Sequence, residues 1–124
     1  MLDTLSTMHR FGATVLLIYA VLLGLWGTIQ YFRNQRLSGG FRSSYLIMGA
    51  LIPLQGLLGI ATLIAGGHTR EPVLLHMVYG IFAVLFVPGA YLYSRGGTDR
   101  RETLILAGAS WIVAIAFFRG ISTG

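Results

Sequence analysis

Long apolar stretches alternate with short polar ones along the whole chain. Four runs stand out, at residues 11–32, 45–65, 73–93 and 103–118. The first three have the roughly 20 residues that a helix needs to cross the hydrocarbon core of a bilayer. The fourth is shorter, but Trp111, Phe117 and Phe118 keep it strongly apolar. None of the runs alternates polar with apolar positions, so strands are not expected. The pattern predicts helices over about 4–33, 43–65, 72–94 and 102–119. The first helix starts near Thr4, ahead of its apolar run.

The links between the runs are short and punctuated. Ser38-Gly39-Gly40 breaks the first, and Gly66-Gly67 ends the second helix. Glu71-Pro72 opens the third helix, with an acid near the positive dipole end and proline in the first turn. Gly96-Gly97-Thr98-Asp99 forms the third link. Links this short predict one all-α domain over residues 1–124, an integral membrane four-helix bundle running up-down-up-down. Pro53 and Pro88 fall inside the second and third helices, where each removes a backbone bond and is expected to bend its helix. Glycines recur on the first three helices, and in membranes such residues let helices or a flat ligand approach closely.

Composition sharpens this picture. Only 10% of the 124 residues are charged and 55% are hydrophobic, against about 25% charged in an ordinary soluble domain. There is no cysteine, which excludes disulfides, iron–sulfur clusters and thiolate zinc sites. The net charge is +5, and all of the basic residues are arginine. They sit between apolar runs and form no stripe for a phosphate backbone, so nucleic acid is not an expected partner. Their distribution instead predicts orientation. Arg33, Arg36 and Arg42 flank the first link, and Arg95, Arg100 and Arg101 the third. Arg10, Arg70 and Arg119 belong to the opposite side. The positive-inside rule puts the first and third links in the cytoplasm and both termini outside, in the periplasm of a prokaryotic inner membrane. Tyr31, Tyr45, Tyr91 and Tyr93 then form an aromatic belt at the inner boundary. Asp3 stands where a signal peptide carries positive charge, so the N-terminus does not read as one.

Three histidines remain. His68 falls in a link and reads as solvated. His9 lies five residues after Thr4, and His76 four residues after Pro72. The two helices run in the same direction, so both imidazoles are expected at similar depth, about 6–8 Å inside their helix ends. Gly12 follows His9 and Gly80 follows His76 within about one turn, a spacing that clears a flat surface beside each ring. Ionisable side chains in membrane helices are costly and mark functional sites. A pair at one depth suits bis-imidazole ligation of a metal. Zinc lacks its third and fourth ligands here, whereas heme needs only two axial nitrogens. Arg10, Arg70 and Arg119 are the cations for its propionates. A chlorophyll-type tetrapyrrole on a single histidine remains open. So does a structural role in which each histidine bonds a neighbouring helix.

At these residues the chain resembles the heme A synthase family. Met8-His9-Arg10-Phe11-Gly12-Ala13 is similar to the histidine-arginine start of a ligand helix in that family. Leu54-Gln55-Gly56-Leu57-Leu58-Gly59-Ile60-Ala61-Thr62 resembles its glutamine-glycine helix, and Leu75-His76-Met77-Val78-Tyr79-Gly80 its second ligand helix. Arg119-Gly120-Ile121-Ser122-Thr123-Gly124 resembles the arginine and threonine-glycine that close another helix. The resemblance covers nearly the whole chain, but about half of the family's eight-helix protein, with the arginine-ended helix last. It implies a half-bundle holding one heme b near the outer face, with His9 and His76 as ligands and Arg10 and Arg119 beside the propionates. Gln55 and Gly59 belong to the implied site. The family's cysteine-bearing loop is missing, and Leu5-Ser6-Thr7 stands where an acid usually precedes the first ligand histidine.

Three functions follow as expectations. One is a small cytochrome b that passes electrons as a subunit of a larger membrane redox complex. The second is a structural accessory subunit of a respiratory or photosynthetic complex. The third is a heme A synthase-like enzyme acting as a dimer. Besides the bilayer, membrane protein partners or a second copy are therefore expected. Transport is disfavoured, because the helices hold almost no charge to coordinate an ion or relay protons.

Overall fold

A computed structural model describes residues 2–33, 38–66, 73–94 and 100–123, and all of its regular structure is helical. The helices are α1 (Leu2–Phe32), α2 (Gly39–Ile64), α3 (Val73–Ser94) and α4 (Arg100–Thr123). Each is long and apolar enough to cross a membrane. Their outer surfaces fit the same reading. Phe11, Ile64, Leu74 and Leu92 are each at least 70% exposed. The interior mixes large apolar side chains, Phe41, Tyr45, Met48 and Leu106 among them, with small and polar ones such as Ala20, Ala83, Ala107, Thr103 and Ser110. So many large apolar residues on the outer surface would aggregate in water but suit hydrocarbon, and the small residues inside let helices approach closely.

α1 packs against α2 and α4, and α3 against the same two helices, so α1 and α3 lie on a diagonal. The α1–α4 seam is the most extensive and the α2–α3 seam the least. Two glycines make the first possible. A Cβ at Gly27 would lie 2.6 Å from that of Ala107, and one at Gly24 would lie 2.7 Å from the Trp111 indole. The indole N–H donates to Thr28 Oγ1 at 3.0 Å, which fixes the seam's register. On the other side of α1, Tyr19 donates to the Ser44 carbonyl at 2.6 Å.

Helix limits follow local chemistry. α2 starts at Gly39 because Ser38 caps it, its Oγ accepting from Phe41 N–H at 3.1 Å and from Gln30 Nε2 at 3.1 Å. The glycines expected to break the chain there instead occupy the first turn. At the other end Ala65 caps the helix after Ile64, and Gly66 follows at φ 104°, a left-handed conformation that stops it. α2 and α3 run through Pro53 and Pro88 as continuous helices. α4 continues past Arg119 and Gly120 to Thr123.

Tyr45 departs from its expected place in an aromatic belt. It is fully buried, stacks on Tyr91 with ring centroids 6.5 Å apart, and donates to the Val87 carbonyl at 2.7 Å. The phenol finds an acceptor on α3, so the residue ties two helices together inside the bundle rather than anchoring it at the lipid boundary.

Candidate functional site

The two histidines of the apolar helices come together. His9 projects from α1 and His76 from α3, and their ring centroids lie 6.3 Å apart at an interplanar angle of 67°. Both side chains are half-buried. Because α1 and α3 are diagonal partners, the rings meet across the middle of one end of the bundle, not along a seam between neighbours.

α2 supplies the third participant. Gln55 is buried, and its Nε2 donates to the His9 carbonyl at 2.6 Å and lies 3.0 Å from His9 Nδ1. Two glycines let the elements meet. The Gln55 amide fills the space where Gly12 would carry a Cβ. The His9 ring covers Gly59, its Cε1 being 2.8 Å from where a Cβ would stand. Gly12 therefore accommodates an amide, whereas the expected role was to clear a flat surface. Gly80, on α3 one turn after His76, has nothing within 4 Å of its Cβ position and remains open.

The roles in the Gln55–His9 ring contact depend on the His9 tautomer. A Gln55 N–H directed at Nδ1 makes that nitrogen the acceptor and leaves the ring proton on Nε2. Ligation through Nε2 requires the proton on Nδ1, and hence an acceptor beside it. Gln55 can provide one by presenting Oε1, which entails giving up its bond to the His9 carbonyl.

Among the described residues no group of three or more His, Cys, Asp and Glu side chains gathers to hold a metal ion. Two imidazoles alone suffice only for a metal that brings its own equatorial ligands. The separation can be tested against that requirement. With a metal–nitrogen bond of about 2.0 Å and each nitrogen roughly 1.1 Å from its ring centre, two imidazoles on opposite sides of one metal place their centroids roughly 6 Å apart. The observed 6.3 Å is near that value, in rings set edge to face at 67°. It also lies within the range of about 4.5–7 Å for direct edge-to-face ring contact.

The arginines are less gathered. Arg10 follows His9 and is exposed, and Arg119 is exposed near the end of α4. Arg70 and His68 lie outside the described residues. The contribution of Gln55 to the pair came into view in the sequence only through the resemblance. A buried amide in an otherwise apolar helix was an independent signal, since such a group needs partners.

No family model matches the chain, and no curated protein or solved structure matches it either.

Proposed function

We propose that the chain is a small membrane-embedded cytochrome b, in which His9 and His76 would hold a single heme. The observation that carries this reading is the pair of imidazoles 6.3 Å apart on diagonal helices. That distance suits a shared metal, and the placement is otherwise a costly use of two ionisable groups in apolar helices. Arg10, Arg119 and Arg70 would be the cations toward its propionates. When bound, the heme supplies reversible one-electron chemistry. The chain's own part is to hold two imidazoles at a set spacing, to control the His9 proton through Gln55, and to exclude water with apolar walls. Electron transfer within a larger membrane redox complex is the role that this histidine pair would serve.

The topology of this proposal is up-down-up-down. Contacts of Gly24 with Trp111 and Gly27 with Ala107 support opposed α1 and α4, and those of His9 with Gln55 and Gln30 with Ser38 support opposed α1 and α2. The arginine-rich first and third links are cytoplasmic, which leaves the histidine end and both termini on the periplasmic side of a prokaryotic inner membrane. The short motifs shared with heme A synthases argue in the same direction.

A second reading has an observation of its own. The two contacts from Gln55 to His9 are those of a histidine serving as a structural tie. In that case the chain is an accessory subunit without a cofactor. A reduced-minus-oxidised difference spectrum of the purified protein, made in a heme-sufficient host, separates the two. The cytochrome reading expects a b-type band that disappears in His9→Ala and in His76→Ala. A well-expressed wild-type protein with no such band would leave the accessory reading.

A further inference from the structure

At the end of the bundle away from the histidines, α3 and α4 part to leave a cleft of about 520 Å³. Gly89 and Gly108 lie along it, and neither has an atom within 4 Å of its Cβ position, so the floor is open along both helices. Leu104 and Ile112 form its apolar wall, and Tyr93 extends it toward Arg101. The Arg101 guanidinium stands 5.3 Å above the Tyr93 ring and pairs with Glu102 at 3.1 Å through one nitrogen. Its side chain is still 58% exposed, and a guanidinium has five N–H donors, so the pair leaves most of them for another acceptor.

We propose that this cleft binds an anionic phospholipid, its headgroup phosphate on Arg101 and one acyl chain along the glycine floor. Two observations select a lipid. The first is length. Arg101 to Ile112 spans about 16 Å at 1.5 Å per residue, close to the roughly 15 Å of one leaflet's hydrocarbon. The second is charge. The Arg101 guanidinium, still largely exposed beside Glu102, sits in the first turn of α4, where the helix N-terminus adds partial positive charge. Basic sites between membrane helices attract anionic headgroups. The site is independent of what the histidines hold.

The test reconstitutes the full chain in bilayer discs of equal phosphatidylglycerol and phosphatidylcholine, and measures retained lipid by native mass spectrometry after transfer to detergent. Wild type is expected to keep phosphatidylglycerol over phosphatidylcholine by about fivefold, the weight of one basic contact at a membrane surface. Arg101→Gln is expected to abolish the preference, Arg101→Lys to retain most of it, and Gly108→Leu to lower retention of both lipids. Circular dichroism identifies any variant that fails to fold, and the conservative Arg101 pair keeps the test intact if Gly108→Leu does. Equal retention of the two lipids by wild type would overturn the proposal, as would an unchanged preference in Arg101→Gln. Interchain disulfide formation by Gly108→Cys with no lipid retained would give the cleft to a second copy of the chain instead.

Discussion

Replacing Gly59 with alanine is the sharpest probe of the histidine pair, because the structure supplies its own control on the same helix. A Cβ at Gly59 would stand 2.8 Å from His9 Cε1 and 3.4 Å from both ring nitrogens. To reach carbon–carbon contact of about 3.5 Å the ring must move by roughly 0.7 Å. The ring cannot give freely, because Gln55 holds both its Nδ1 and the His9 carbonyl. Overpacking of this kind costs about 1–3 kcal/mol. Gly56 lies one turn earlier and has nothing within 4 Å of its Cβ position. Both substitutions gain the same helix propensity, at most about 1 kcal/mol, so it cancels in their difference. Gly59→Ala is therefore expected to be less stable than Gly56→Ala by about 1–3 kcal/mol in denaturant-titrated micelles. It is also expected to carry less heme, or heme with a changed b-type spectrum, while Gly56→Ala matches wild type. Equal stability and equal spectra for the two variants would refute the placement of the His9 ring against α2.

Three further outcomes are expected. Tyr45→Phe removes the donor to the Val87 carbonyl while keeping the ring, and should cost about 0.6 kcal/mol and at most about 1.7 kcal/mol, the measured range for buried bonds between membrane helices; thermal unfolding in detergent measures it. Gly27→Val drives side-chain carbon into Ala107 and the Phe41 ring, and should destabilise at or above the upper end of about 1–3 kcal/mol, read as loss of folded protein on size-exclusion chromatography. Gln55→Leu leaves both histidines in place but removes the group that controls the His9 proton. It should shift the midpoint potential of the b-type band while heme is retained, and an unchanged potential in a redox titration would show that Gln55 does not act on the ligand.

The four helices could be read from the chain because each apolar run is unbroken and long. Their ends were less legible. The Gly39-Gly40 pair looks like a break, yet Ser38 caps the helix so early that both glycines fall within its first turn. Gly120 resembles a stop, but α4 runs on to Thr123. The inward faces were harder still. A helix that is apolar all round has no polar stripe to mark its outer side, so close packing decides which face turns inward. Tyr45 shows the consequence: it reads as one of four boundary tyrosines, and its true acceptor, the Val87 carbonyl, is 42 residues away in sequence. The histidine pair could be read from a histidine near the start of each of two helices expected to run the same way, although α1 begins at Leu2 rather than near Thr4 and Pro72 lies outside the described residues. Gln55 meets His9 across 46 residues, and no spacing along one helix reports such a contact.

On the proposed reading His9 and His76 would hold one heme between them. Heme per chain, measured by the pyridine hemochrome method against protein mass in wild type and in the single His9→Ala and His76→Ala variants, tests it most directly. Close to one heme b per wild-type chain is expected, with strong loss in each variant and all three proteins folded by circular dichroism. A folded wild type without heme, or full heme content after either substitution, would contradict it.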